Sequence, residues 1–253
     1  SIPTSIEPTI SPTSSAPIIP TTMSPMIPKG ETPLVKGIFR FETDFEGSVG
    51  GGSELTEYGS GGSISPSYGG SYKFTTSSGL ILSVDSSLNI TDYTIALFFT
   101  IDSIPSVDEK IISWNQNTTN GVYISSHGNI IYRVSGSPDQ NITSPTISPS
   151  IPVSLQVSRN GDDDTFRIIL NDNSNMIVID DSSGNTMISN ISMMKKQSFD
   201  FGVFLFSGNI SGNVDEISYF EGGDPISNSD NILKNNGENL GSFIFVVDEC
   251  GCT

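Results

Sequence analysis

Tyr93-Thr94-Ile95-Ala96-Leu97-Phe98-Phe99-Thr100-Ile101 is the stretch that decides the fold. β-branched and aromatic residues dominate it, and aspartates stand on both sides, so it reads as one β-strand. Similar short runs occur on either side, at 38–45, 71–75, 80–84, 110–114, 122–125, 130–134, 153–158, 165–170, 176–179, 199–206, 214–220 and 242–247. Gly, Asn, Asp and Ser turns separate them at the spacing expected of a sandwich. Helical periodicity is nearly absent, with 227–234 the one candidate helical turn, and the Gly/Ser-rich stretch 48–70 reads as a long loop. The expected fold is a single all-β sandwich domain over residues 37–253, with a last apolar strand near its C-terminus.

Residues 1–36 have a different composition. They hold eight prolines, twelve serines or threonines and no aromatic residue. Proline at this density removes backbone donors and fixes φ near the polyproline value, so the tail is expected to be extended, at about 3 Å per residue. Serine and threonine beside proline also resemble O-glycosylated stalks. The apolar residues Ile2, Ile6, Ile10, Ile18, Ile19 and Ile27 are the points at which another surface would hold it. If that surface belongs to a neighbouring copy, the contact is heterologous, and a heterologous contact that does not close into a ring propagates as a filament.

The 253 residues include 28 Asp or Glu against 11 Lys or Arg, a net charge of −17. So negative a field disfavours nucleic acid and anionic membrane surfaces as partners. No apolar run approaches the roughly 20 residues that span a bilayer. The chain begins at Ser1 with no Met before Met23, which reads as a processed mature form and an extracellular, secreted or cell-surface setting. One histidine, His127, and two cysteines leave little material for a His-based triad or a His/Cys zinc site. Cys250 and Cys252 can bridge locally or to another chain, and they form no CxxC motif. Five Asn-x-Ser/Thr sequons, at Asn89, Asn117, Asn141, Asn190 and Asn209, mark candidate glycosylation sites.

Several segments carry a family resemblance: Phe45-Glu46-Gly47, Tyr72-Lys73-Phe74, the 93–99 strand, Ile111-Ile112-Ser113-Trp114, Gly121-Val122-Tyr123-Ile124-Ser125 and Ile130-Ile131-Tyr132-Arg133-Val134. The stretch 153–161, the strand 167–172 and the closing Ser211-Gly212-Asn213-Val214-Asp215-Glu216-Ile217-Ser218-Tyr219-Phe220 extend it. Over roughly 37–235 the chain resembles the laminin G-like jelly roll of the concanavalin A-like lectin/glucanase superfamily. It departs from that pattern at Phe98, commonly Trp in relatives, and at Ile151-Pro152, where a Trp-His pair is usual. The resemblance implies two antiparallel sheets packed face to face. It leaves function open, because members bind glycans, bind proteins, hydrolyse polysaccharides or build extracellular structures.

Glu42-Thr43-Asp44-Phe45-Glu46 resembles the catalytic Glu-x-Asp-x-Glu strand of the superfamily's glucanases. On a strand, Glu42, Asp44 and Glu46 would share one face as nucleophile, helper and general acid of a retaining hydrolase. Arg40 would fall on the same face and Phe39, Phe41 and Phe45 on the other, which is equally the pattern of a half-solvated first strand. The chain is therefore read as a non-enzyme. Asp162, Asp163 and Asp164 are the candidate metal ligands, with calcium the cation they would take, although Asn160-Gly161 ahead of them reads first as a hairpin turn. In a regular strand Asp215 and Glu216 point to opposite faces.

Two functional readings follow for a non-enzyme, and a polysaccharide hydrolase using Glu42 and Glu46 ranks third behind them. The first is a glycosylated fibre or surface-coat subunit, a homo-oligomer assembled by its tail engaging a neighbouring jelly roll, with the C-terminal strand able to pair with an open sheet edge. The alternative is a stalked lectin or adhesion module with a carbohydrate ligand, which aromatic residues such as Tyr58, Tyr68, Trp114 or Tyr123 in an exposed concavity would favour.

Overall fold

The computed structural model describes residues 34–47, 52–65, 70–115, 118–171, 175–191 and 199–222. The assembly-tail isoleucines, Asn117, Tyr68, Cys250, Cys252, the 227–234 turn and the 242–247 strand lie outside the described residues. The described residues form an all-β sandwich of two antiparallel sheets, with strands numbered in chain order. One sheet, A, runs β13 (Asn175–Asp180), β12 (Thr165–Leu170), β11 (Val153–Asn160), β6 (Tyr93–Ile101), β16 (Gly212–Glu221), β4 (Ser71–Phe74) and β3 (Ser63–Ser65), and β1 (Leu34–Phe39) also pairs with β16. Sheet B runs β10 (Gln140–Ile142), β9 (Ile130–Arg133), β8 (Gly121–Ile124), β7 (Glu109–Ser113), β15 (Phe199–Leu205), β5 (Ser78–Asp85) and β2 (Ser53–Gly59), and β14 (Ser189–Asn190) pairs with β15.

Alternation explains the packing. Tyr93, Ile95, Leu97, Phe99 and Ile101 of β6 enter the core, as do Val153, Leu155 and Val157 of β11 and Phe166, Ile168 and Leu170 of β12. Leu80, Leu82 and Val84 of β5 meet them from sheet B. Each such side chain contributes about 1.5–3 kcal/mol by leaving water. Aromatic pairs tie the layers together: Phe74 stacks on Phe206 at 4.1 Å, and Trp114 meets Phe166 edge-on at 5.1 Å. Trp114 is thus a core residue rather than an exposed platform.

Two expectations about the strands are corrected. The first strand ends at Phe39, not at 45, because Phe41 takes a left-handed φ of 54° and turns the chain while its ring stays buried. The stretch expected to be a loop at 48–70 contains β2 and β3. Leu55 of β2 is a core residue flanked by Glu54 and Thr56, with Glu57 next, so this edge strand lacks an apolar run.

The most polar part of the interior closes the β11–β12 hairpin. Arg159, 2% exposed, donates to Asp181 Oδ2 at 3.1 Å, to Asp164 Oδ1 at 2.8 Å and to the Thr91 carbonyl at 2.7 Å. Asp181 also accepts from the backbone N–H groups of Asn185 and Thr186, and Tyr93 donates to the Thr186 carbonyl. A buried charge is tolerated only when paired and hydrogen-bonded, and this one is both.

Candidate functional site

A cleft of about 340 Å³ opens at the edge of the sandwich, between β1 of sheet A and β2 of sheet B. Its floor is Phe39 and Leu55, and its rim is Phe45, Glu46, Gly47, Ser53 and Glu54. The local sequence explains the geometry. Gly37 sits at a register shift in β1, where a Cβ would stand 2.2 Å from Ser53 Oγ and 2.9 Å from the Phe39 ring, so any larger residue must displace those side chains. Ser53 Oγ donates to the Lys36 carbonyl at 2.6 Å and ties the two sheets together there.

Beyond Phe41 the chain doubles back. Asp44 Oδ1 accepts the Glu46 N–H at 2.9 Å, an Asx turn that presents Glu46. Phe45 is fixed edge-on to Tyr72 at 5.5 Å and to Phe41 at 6.1 Å. The bend at 42–45 abolishes the strand alternation that would align Glu42, Asp44 and Glu46. All three are exposed, and of the three only Glu46 lines the cleft, where its companion carboxylate is Glu54. Sequence reasoning missed Glu54 because its strand was hidden in glycine-rich surroundings.

A second acidic pair lies on the outer face of sheet A. β16 is bulged between Val214 and Glu216, where the strand beside it changes from β4 to β1. Val214 and Ile217 both enter the core, so Asp215 and Glu216 between them face outward together, contrary to regular alternation. Glu216 accepts from Arg40 Nε at 3.2 Å and from Ser218 Oγ at 2.9 Å. Burial alone pushes the Asp215 carboxyl up to about 6.

The remaining candidates sit apart. Asp162, Asp163 and Asp164 occupy the β11–β12 hairpin turn, where Asp163 accepts from Thr165 N and Oγ1 at 3.1 and 2.6 Å and Asp164 pairs with Arg159. Among the described residues no group of three or more His, Cys, Asp or Glu side chains could hold a metal ion. His127 is exposed in a turn, with Nδ1 3.3 Å from Ser126 Oγ. Asn89, Asn141, Asn190 and Asn209 are exposed. Asn89 Oδ1 accepts from Thr91 N and Oγ1 at 3.0 and 2.8 Å. Tyr123 is covered by the Arg133 guanidinium, 4.7 Å from the ring centre, while Tyr58 is half-buried against Phe204.

No family model matches the chain, and no curated protein sequence matches it. Solved structures share its fold. Domain 4 of AbnA, a GH43 extracellular arabinanase from Geobacillus stearothermophilus, in complex with arabinotriose, is 16% identical; the match covers 76% of this chain and 94% of that one, with a TM-score of 0.51. The binding domain of botulinum neurotoxin DC in complex with SialylT is 13% identical over 81% of this chain, with a TM-score of 0.51; this chain spans about half (51%) of its length. Arcelin-5, a lectin-like defence protein from Phaseolus vulgaris, is 12% identical over 75% of this chain and 98% of that one, with a TM-score of 0.47. At these identities the likeness to the first two shows the fold alone, a two-sheet β-sandwich. No helix among the described residues is long and apolar enough to cross a membrane.

Proposed function

We propose that this chain is an extracellular carbohydrate-binding domain that takes the end of a neutral oligosaccharide into the cleft between β1 and β2. The observation that carries the reading is the composition of that cleft: an apolar floor of Phe39 and Leu55, the half-buried face of Phe45, and the polar groups of Glu46, Ser53 and Glu54 converging from the rim. Sugar rings present apolar C–H faces and hydroxyl edges, so an aromatic wall beside carboxylates suits both. Hydroxyl donors to ionised carboxylates make the stronger class of hydrogen bond. A volume of about 340 Å³ lies at the lower end of ligand pockets and suits one or two sugar rings. The bound arabinotriose of the arabinanase domain supports the same ligand class.

Charge selects among sugars. A carboxylate about 4 Å from one rim glutamate is opposed by about 4 kcal/mol at an effective dielectric near 20, roughly three orders of magnitude in affinity. Neutral sugars escape that cost, and sialylated ones do not. The proposed activity is binding, with Glu46 and Glu54 serving as hydrogen-bond acceptors for sugar hydroxyls while Glu42 and Asp44 stand outside the cleft. The exposed sequon asparagines would carry glycans on the same secreted domain.

Calorimetric titration with arabinotriose and other neutral oligosaccharides, beside a sialylated trisaccharide, tests this. A neutral sugar is expected to bind, with affinity falling at least tenfold in Phe45→Leu and in Glu46→Ala while the melting temperature of Glu46→Ala is unchanged. A folded protein that binds no neutral sugar, or that binds equally well in both variants, overturns the reading. Release of reducing ends abolished by Glu46→Gln would turn it into a hydrolase.

A further inference from the structure

The outer face of sheet A is shielded like an interior. Ile38, Ser218, Ala96, Gln156 and Ile169 form one row across β1, β16, β6, β11 and β12, and none is more than 4% exposed. In the next row Phe220 is 1% and Thr94 0% exposed. Their neighbours along each strand, such as Ile217, Leu97 and Val157, enter the core, so these side chains point away from sheet B. Among the described residues no third layer of strands lies over them. An antiparallel sheet face that meets water is polar and solvated. Here a phenylalanine and two isoleucines are hidden within a single chain, which makes the face a trough that this chain itself fills. Its floor is small and uncharged at Ser218, Ala96 and Thr94, and its sides rise at Ile38 toward β1 and at Ile169 toward β12.

We infer that the occupant is the C-terminal segment Ser242-Phe243-Ile244-Phe245-Val246-Val247 of the same chain, laid along the trough as an extended strand that roofs sheet A. The segment can reach it. β16 ends at Glu221, opposite Tyr93 and beside the Phe220 end of the trough, and the polar stretch 223–241 extends to about 60 Å, ample to turn back over the face. Chemistry selects this segment over residues 1–33, which start from the same corner. Phe98, half-buried one position beyond the Ala96 row, offers a ring face to Phe243 or Phe245, whereas residues 1–33 hold no aromatic residue. Gln156 Oε1 is buried in the middle of the trough and has no hydrogen-bond partner among the described residues. A buried acceptor is costly unless a donor meets it. The segment has no proline and keeps every backbone N–H, while residues 1–33 lose eight of theirs to proline. Five successive apolar residues without a charge also need burial of their own, and the trough is uncharged along its floor.

Hydrogen–deuterium exchange of the unaltered full chain reads the placement directly. The amides of 243–247 are expected to exchange at least tenfold more slowly than in a free peptide of the same sequence, and exchange at the free-peptide rate sinks the inference. A cross-link identifies the occupant. In a Cys250→Ser, Cys252→Ser background, Ser218→Cys combined with Phe245→Cys or with Ile244→Cys, which sample both faces of the strand, should close an intramolecular disulfide on mild oxidation. Closure instead with Ile19→Cys gives the trough to the N-terminal tail, and disulfide-linked dimers give it to a second copy; either overturns the assignment. In the same background, Phe243→Asp with Phe245→Asp should speed the reaction of the Ser218→Cys thiol with a small thiol reagent at least tenfold while the β-sheet circular dichroism is kept. An unchanged rate means that something else lies over the sheet, and the inference fails.

Discussion

Asp215 and Glu216 are neighbours in sequence with opposite fates. Glu216 is answered by Arg40 and Ser218, whereas burial alone acts on Asp215 and pushes its carboxyl from 3.8 up to about 6. The sign of the linkage follows. Below about pH 3 the carboxyl is neutral whether the chain is folded or unfolded. Between about pH 4 and pH 6 the unfolded chain gives up the proton and the folded one keeps it, so stability falls across that window and stays lower above it. Asp215→Asn is expected to melt about 2–4 °C higher than wild type at pH 7, a figure reduced for the group's partial exposure, with the gap gone by about pH 3. Calorimetric melting of both proteins at the two pH values checks it, and a gap that does not change with pH would refute the account. Little of this was legible beforehand. Alternation places the two carboxylates on opposite faces, and the bulge that unites them arises where β4 gives way to β1 beside the same strand. That juxtaposition joins residues near 40, 70 and 215, which no local pattern records. Glu46 was legible as a candidate, but the partner it meets, Glu54, was not.

At the level of the elements, the strands that sequence reads best are those buried on one full face. Tyr93–Ile101 and Thr165–Leu170 have the expected bounds because every second residue is large and apolar. β2, β3, β10 and β14 escape because they are short or polar edge strands whose pairing is decided by their neighbours. The end of β1 escapes for another reason, since a phenylalanine at positive φ is a choice made by the core around it. Gly212 shows the reverse constraint. It opens β16 opposite both Phe74 of β4 and Ile101 of β6, and a Cβ there would stand 2.0 Å from the Thr100 carbonyl oxygen and 2.8 Å from the Phe74 ring. Gly212→Ala must push the backbone of one neighbour aside. It is expected to cost at least the 1–3 kcal/mol typical of overpacking, read as a lower urea midpoint at unchanged slope. A midpoint equal to wild type would mean that the strands are less tightly packed there than the contacts indicate.

For the whole molecule, the −17 charge sets the terms on which copies meet. Two such bodies repel over distances that salt shortens to about 10 Å at 0.1 M. One further consequence concerns force. Leu34 pairs with Glu221 and Phe39 with Ile217, so the described body begins and ends at one corner, on adjacent antiparallel strands stapled there by Lys36 and Glu221 at 3.1 Å. Tension applied between its two ends loads the ladder one rung at a time, and the sandwich opens like a zip, yielding gently instead of resisting as a sheared bolt would.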